Sequence, residues 1–193
     1  GGGSDSSGID FDGPNNDLIV SQIYSTPSQH GNSAGAFAAV LSDGSVVSWG
    51  ASSISDSSGV DFDGPNDNLA VSKIFSTQSA FAALRSDGSV VTWGKKQYGG
   101  DSSSVDFDGP SNNLTVSHIY SNNYAFTALR SDGSVVTWGS GNPRFVGEKI
   151  DISSIDFDGA SDNLTVSNIY SNHRAFAALR SDGSVVTWGE RNS

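Results

Sequence analysis

Pairs of carboxylates recur along this chain at a spacing suited to holding a cation. Asp10 and Asp12, Asp61 and Asp63, Asp106 and Asp108, and Asp156 and Asp158 each flank a phenylalanine and stand two residues apart. In extended backbone alternate side chains share a face, so each pair would present two carboxylates about 6.5–7 Å apart along a strand. Calcium takes roughly six to eight oxygen ligands in flexible geometry and is the cofactor such pairs would suit. Asp5, Asp56, Asp101 and Asp151 lie five residues upstream of the pairs, and Asn16, Asp67, Asn112 and Asp162 lie just downstream. The competing reading is structural. Aspartates on an outer strand discourage edge-to-edge pairing, and the spacing is that of neither an EF-hand loop nor a nonapeptide calcium repeat.

Catalytic material is thin. His30, His118 and His173 occupy unrelated places along the chain and imply neither a triad nor a metal cluster. Paired carboxylates are the ingredients of glycoside hydrolysis, but a motif present in four copies is a poor active site, and the expectation is a protein that is not an enzyme. Trp49, Trp93, Trp138 and Trp188 could serve as sugar platforms, yet each closes an apolar run beginning Val-Val. Packing is the better account, and burying such a ring stabilises by about 2–3 kcal/mol. Phe37, Phe81, Phe126 and Phe176 are read in the same way. Arg85, Arg130 and Arg180 stand two residues before Asp87, Asp132 and Asp182, as surface ion pairs across a turn would.

The elements that must position these residues follow from the repeats. The four Trp-Gly pairs are spaced by 44, 45 and 50 residues, and residues 80–94 recur unchanged at 175–189. Repeats run approximately over 1–50, 51–94, 95–139 and 140–193 of a single repeat domain, residues 1–193. Each copy reads as four strands. The first is Ile9–Asp12 and its counterparts at 60–63, 105–108 and 155–158; the second runs from Leu18, Leu69, Leu114 or Leu164 to Ser25, Ser76, Ser121 or Ser171. The third is Ala-Phe-Ala-Ala-Leu and the fourth Ser-Val-Val-Thr-Trp, with Ser-Asp-Gly-Ser between them. Asp-Gly between two apolar runs predicts a hairpin closed by a two-residue type I′ turn. Extra residues fall at 26–35 and at 140–150, where a repeat array places surface loops. Gln22, Lys73, His118 and Asn168 form one set of variable positions, and the loops 77–79, 122–124 and 172–174 form another, as a binder's specificity residues would.

Composition narrows the partners. The net charge is −11, and 19 of the 21 acidic residues are Asp. Such a surface repels phosphate backbones and anionic headgroups, which argues against nucleic acid. No apolar run approaches membrane-spanning length, so no membrane insertion is expected. The absence of cysteine excludes disulfides and thiolate chemistry. The opening Gly-Gly-Gly-Ser is no signal peptide, and the chain reads as an excerpt whose export signal lies elsewhere.

The pattern Ala-Leu-x-x-Asp-Gly-x-Val-x-x-Trp-Gly, as at 83–94, resembles the RCC1-type repeat, a four-stranded propeller blade. Strings such as Ser-Asp-Gly-Ser-Val-Val-Thr-Trp-Gly followed by Tyr98–Ser103 are similar to RCC1-like repeats of very large secreted bacterial proteins, cyanobacterial ones among them. Where the eukaryotic family often carries Gly-x-x-x-His-Thr, this chain has Ser76, Ala80 and Phe81. The resemblance therefore implies the blade but not the family's nucleotide-exchange or chromatin activities. It also implies a seven-bladed norm, so four repeats either close on themselves or continue into a longer array. Joining residues 188–193 to residues 1–9 recreates an inter-repeat connection and suits both arrangements.

The expected fold is all-β: four tandem four-stranded blades in a β-propeller-like array. The expected function is a structural or adhesive, filament-forming module of a large cell-surface or secreted protein, extracellular, which self-associates or contacts neighbouring repeats. The alternative is a lectin-like propeller that binds glycans through loops on one face.

Overall fold

The computed structural model describes residues 6–12, 17–27, 35–65, 68–140, 150, 152–159 and 163–189. Twelve strands form four antiparallel sheets of three. Blade 1 comprises β1 (Val20–Ser25), β2 (Ala36–Leu41) and β3 (Val46–Gly50), and blade 2 comprises β4 (Val71–Ser76), β5 (Ala80–Arg85) and β6 (Val90–Gly94). Blade 3 holds β7 (Val116–Ser121), β8 (Ala125–Arg130) and β9 (Val135–Gly139), and blade 4 holds β10 (Val166–Ser171), β11 (Ala175–Arg180) and β12 (Val185–Gly189). A short helix α1 (Ser52–Ser55) follows blade 1, and a 3-10 turn at Lys96–Tyr98 follows blade 2.

Three strands per blade, not four, is a correction. The Ile/Val-Asp-Phe-Asp segments keep the alternation of a strand, with Val60 and Phe62 turned to the core and Asp61 and Asp63 exposed. They form no ladder. The carboxylate of Asp61 accepts the Gly64 N–H at 2.6 Å, and Asp106 and Asp156 do the same for Gly109 and Gly159. This Asx-type contact bends the chain where a strand would have continued. The Asp63 carbonyl then accepts the Leu69 N–H at 2.8 Å and closes a compact loop.

The hairpins form, but with a different turn from the one the Asp-Gly pair suggested. In blade 2 the Arg85 carbonyl accepts the Gly88 N–H, while the Arg85 N–H reaches the Ser89 carbonyl. Only Gly88 is left-handed, at φ 84°, and no aspartate among the described residues has positive φ. This is a three-residue loop, a type I turn followed by a left-handed glycine. Asp87 is free to keep ordinary backbone because its carboxylate accepts the N–H of Ser89 at 2.9 Å and the hydroxyl as well.

Each first strand carries a bulge, at Ser21, Ser72, Ser117 and Ser167. The extra serine is held by its hydroxyl, which donates to a second-strand carbonyl at 2.8–3.0 Å. The bulge shifts the facing of the strand. Val71 and Ile74, three apart, therefore share the core face, and Lys73 and Phe75 share the other.

The core lies between blades. Each of three clusters joins the second strand of one blade to the strands of the next, for example Ala36, Ala38 and Val40 against Ile74, Phe81 and Trp93. Alanines on the leading face let consecutive sheets approach closely, and the larger Ile, Phe and Trp fill the space from the other side. Among the described residues no such cluster joins blade 4 back to blade 1. The blades form an open arc.

Candidate functional site

The tryptophans sit at the centre of the packing. Trp93, Trp138 and Trp188 are buried, and each is stacked on a second-strand phenylalanine at 5.1–5.5 Å and met edge-on by the loop phenylalanine at 5.1–5.2 Å. Phe11, Trp49 and Phe37 repeat this triad in blade 1. Edge-to-face and offset pairs contribute about 0.5–1.5 kcal/mol beyond burial. Three of the four rings are thus committed to packing, and Trp49 is half-buried.

The aspartate pairs are placed differently from the strand-face expectation. One carboxylate of each pair in blades 2 to 4 closes its own turn, as described, and the Asp10 carboxylate accepts the Asp12 N–H at 3.2 Å. Asp56 turns to Ser58, and Asp101 pairs with Lys96 at 2.7 Å and accepts the Ser103 N–H. Lys96 and Ser103 hold the Asp101 carboxyl far below the usual carboxylate range. Shallow grooves between blades bring Asp63 near the hairpin aspartate Asp43, and Asp108 near Asp87. Among the described residues no three acidic or histidine side chains converge. Asp5, Asp67, Asp151, Asp162 and Asn16 lie outside the described residues, as does His30.

The arginines also depart from expectation. Arg85 gives Nε to the Ser89 hydroxyl at 2.7 Å and Nη1 to the Asp61 carbonyl at 3.1 Å, and Arg130 and Arg180 repeat both contacts. Each guanidinium ties the hairpin to the aspartate loop instead of pairing with the hairpin carboxylate. The planar, multi-donor group suits that bridging.

Two surface arrangements bring together residues the sequence left apart. The first strands of successive blades abut one another, so the variable positions 22, 73, 118 and 168 line one seam. Lys73 lies over Phe75 at 5.2 Å, Phe75 meets the His118 ring at 5.5 Å, and His118 meets Tyr120 at 4.7 Å. The Tyr120 hydroxyl donates to Asn168 Oδ1 at 2.7 Å, crossing to blade 4. Burial, then the Lys73 charge, push the His118 pKa down, which keeps the ring neutral at pH 7. Burial pushes the Tyr120 phenol up and keeps it a donor. Positions 20–25, 71–76, 116–121 and 166–171 contain no carboxylate in a chain with 21. The seam thus alternates aromatic faces with neutral or cationic donors.

The variable loops are chained as well. The Gln78 N–H donates to the Asn123 carbonyl, and the Asn123 N–H to that of His173. Tyr124 collects Tyr98, His173 and Arg174 around its ring at 5.8–6.0 Å. Sequence alone offered the variability of these positions as a signal, but not their adjacency.

The two ends of the arc expose what the interior buries. Ile74, Ile119 and Ile169 are at most 2% exposed, whereas their blade 1 counterpart Ile23 is 61% exposed. Val135 is buried against blade 4, whereas Val185 is 58% exposed, and Tyr170 on the first strand of the same blade is 57% exposed. No described helix is long and apolar enough to cross a membrane.

No protein-family model matches the chain, and no curated protein matches it. Solved structures do. Human WBSCR16 is similar with a TM-score of 0.53 at 21% identity, over 89% of this chain and 48% of its own. Yeast RCC1 (Prp20), solved bound to Kap60, gives 0.55 at 18% identity over 80% of this chain and 41% of its own. The CRINKLY WD40 ectodomain of the Arabidopsis thaliana receptor kinase ACR4 gives 0.50 at 16% identity, over 88% and 55%. The chain spans about half of each. Sheet order, inter-blade cores and these likenesses agree: the chain is an open run of four RCC1-like β-propeller blades.

Proposed function

We propose that this chain is a non-catalytic structural repeat module that acts by association through its blade faces, in a cell-surface or secreted protein. The observation that carries the reading is the contrast between the buried internal junctions and the exposed Ile23, Tyr170 and Val185 at the two ends. Fully covering an Ile or Val side chain favours association by about 1.5–3 kcal/mol, so these faces are primed for a further blade. The fold itself serves interaction elsewhere: yeast RCC1 was solved with Kap60, and the ACR4 relative is an ectodomain. An extracellular setting fits the cysteine-free, aspartate-rich composition; antibody labelling of intact source cells tests it. Association is tested by mass photometry and negative-stain electron microscopy over a concentration series. Particles larger than one chain are expected, and a monomer at every concentration sinks the reading.

A second, lectin-like reading is favoured by the first-strand seam, where aromatic faces alternate with Lys73, His118 and Asn168. Aromatic rings pack on the apolar faces of sugars while amide and imidazole groups meet their hydroxyls. A glycan array is the test. Saturable binding lost in His118→Ala supports it, and silence across the array removes it.

A further inference from the structure

We infer that two copies of this chain join head to tail, blade 4 of each on blade 1 of the other, and close one ring of blades. The inference rests on the association reading above and names its partner. Every internal junction is built the same way. A leading face sets second-strand alanines, a branched residue of the third strand and the ring of the first strand against the Val, Ile and Phe of the next blade. Between blades 2 and 3 the leading residues include Ala80, Val90 and Phe75, and between blades 3 and 4 they include Ala125, Val135 and Tyr120. Blade 4 presents Ala175, Val185 and Tyr170 in the same places, and blade 1 presents Val20, Ile23 and Phe37 as the face to receive them.

The backbone is matched too. The N–H opening each following blade donates to the hairpin glycine of the blade before: Val71 to Gly44 at 2.9 Å, Val116 to Gly88 at 3.0 Å and Val166 to Gly133 at 3.1 Å. Gly183 and Val20 hold the equivalent positions at the two ends. The space beside Gly44, Gly88 and Gly133 is filled by Ala70 or Thr115 or Thr165 of the next blade, while nothing lies within 4 Å of a side chain built at Gly183. The end of the arc is shaped like a junction whose second half is missing.

The count of copies follows from chain length. The matched region makes up 41% of yeast RCC1 and 48% of WBSCR16 by residues, so one chain supplies just under half the length of such a propeller. A second copy supplies the rest of that length, and the resulting eight blades, one more than the seven-bladed norm of the resemblance, stay within the roughly four to eight that propellers use. Head-to-tail contacts make rings when the rotation closes and filaments when it does not. The likeness to solved propellers, together with matched junction faces at both ends, favours the ring.

The test is light scattering coupled to size exclusion, with the wild type and two variants at exposed positions, Ile23→Asp and Val185→Asp. Wild type is expected at twice the 20.0 kDa chain mass. Each variant alone spoils both junctions of the ring and is expected as a monomer with an unchanged circular dichroism spectrum. Mixing the two leaves one junction intact, and dimer is expected to return. Longer polymers of wild type would overturn the ring while leaving the association reading standing. A monomer at all concentrations would overturn both, and a dimer indifferent to both variants would place the contact elsewhere and overturn the inference.

Discussion

Single residues in this array are repeated with small differences, which makes them natural controls for one another. The Trp138 indole N–H donates to the Gly99 carbonyl at 3.1 Å, whereas the buried Trp93 indole has no acceptor among the described residues. Trp138→Phe should therefore cost more stability than Trp93→Phe by about 1 kcal/mol, the worth of a hydrogen bond plus the carbonyl left behind. Equal losses in thermal unfolding would show that ring volume alone matters. The hairpin aspartates share the acid response with Asp101. At Asp87 and Asp132 burial pushes the pKa up, but the Ser89 and Ser134 hydroxyls and N–H groups, with the Arg85 and Arg130 charges, hold it below its ordinary value. At Asp43 the Ser45 hydroxyl is the main cause of the same depression. A depressed carboxylate adds stability above its unfolded pKa and loses it as protons bind, so stability should fall as pH drops below about 4. Ser89→Ala with Ser134→Ala should raise the midpoint of acid unfolding, and an unmoved midpoint would deny these contacts a role. Since Asp61, Asp106 and Asp156 each turn one carboxylate oxygen to a glycine N–H and no three acidic or histidine side chains converge among the described residues, EDTA should leave the melting temperature unchanged at matched ionic strength. A calcium-dependent rise would return the aspartate pairs to the metal reading.

At the scale of elements, the hairpin glycines separate local strain from contact between blades. Gly88 and Gly183 have nearly the same backbone, with φ of 84° and 87°. Alanine at either position costs about 1–2 kcal/mol in the left-handed region. At Gly88 the new Cβ also meets the Thr115 Cβ at 2.6 Å, whereas at Gly183 it meets nothing. Gly88→Ala should thus be the more destabilising in urea unfolding of the monomer, and parity would mean that blade 3 yields without cost. The strands of this blade were legible from Val-Val-x-Trp and Ala-Phe-Ala-Ala runs, and so was the burial of Trp and Phe. The aspartate segment was misread for a physical reason. Alternation records which side chains face the core, but a ladder also requires a neighbour with free backbone groups, and Asp61 satisfies its own turn first. The bulge at Ser72 was equally hidden, because a serine there could as well have faced solvent in a regular strand.

For the whole molecule, charge opposes the association that the end faces favour. Each chain carries −11, so two copies repel at low ionic strength. Raising salt toward about 0.15 M shortens the Debye length to about 8 Å. The dissociation constant measured by sedimentation should therefore fall with added salt, while electrostatically driven pairing would weaken instead. The first-strand seam also belongs to this scale, since positions 22, 73, 118 and 168 stand 45 to 51 residues apart and no local pattern connects them.

The repeat, the hairpins, the identity of the core residues and the exclusion of thiolate chemistry were legible before any folding was considered. These depend on residue type and short spacing, which a chain displays directly. Three-dimensional packing was needed to show that a blade has three strands, that Arg85 bridges to a loop carbonyl, and that Lys73, Phe75, His118 and Tyr120 meet along one seam. It also shows Ile23 and Val185, on the first and last of the four described blades, uncovered. Those features depend on the rotation from one blade to the next, a small angle set by the packing of alanine against isoleucine at each junction and summed over the whole chain.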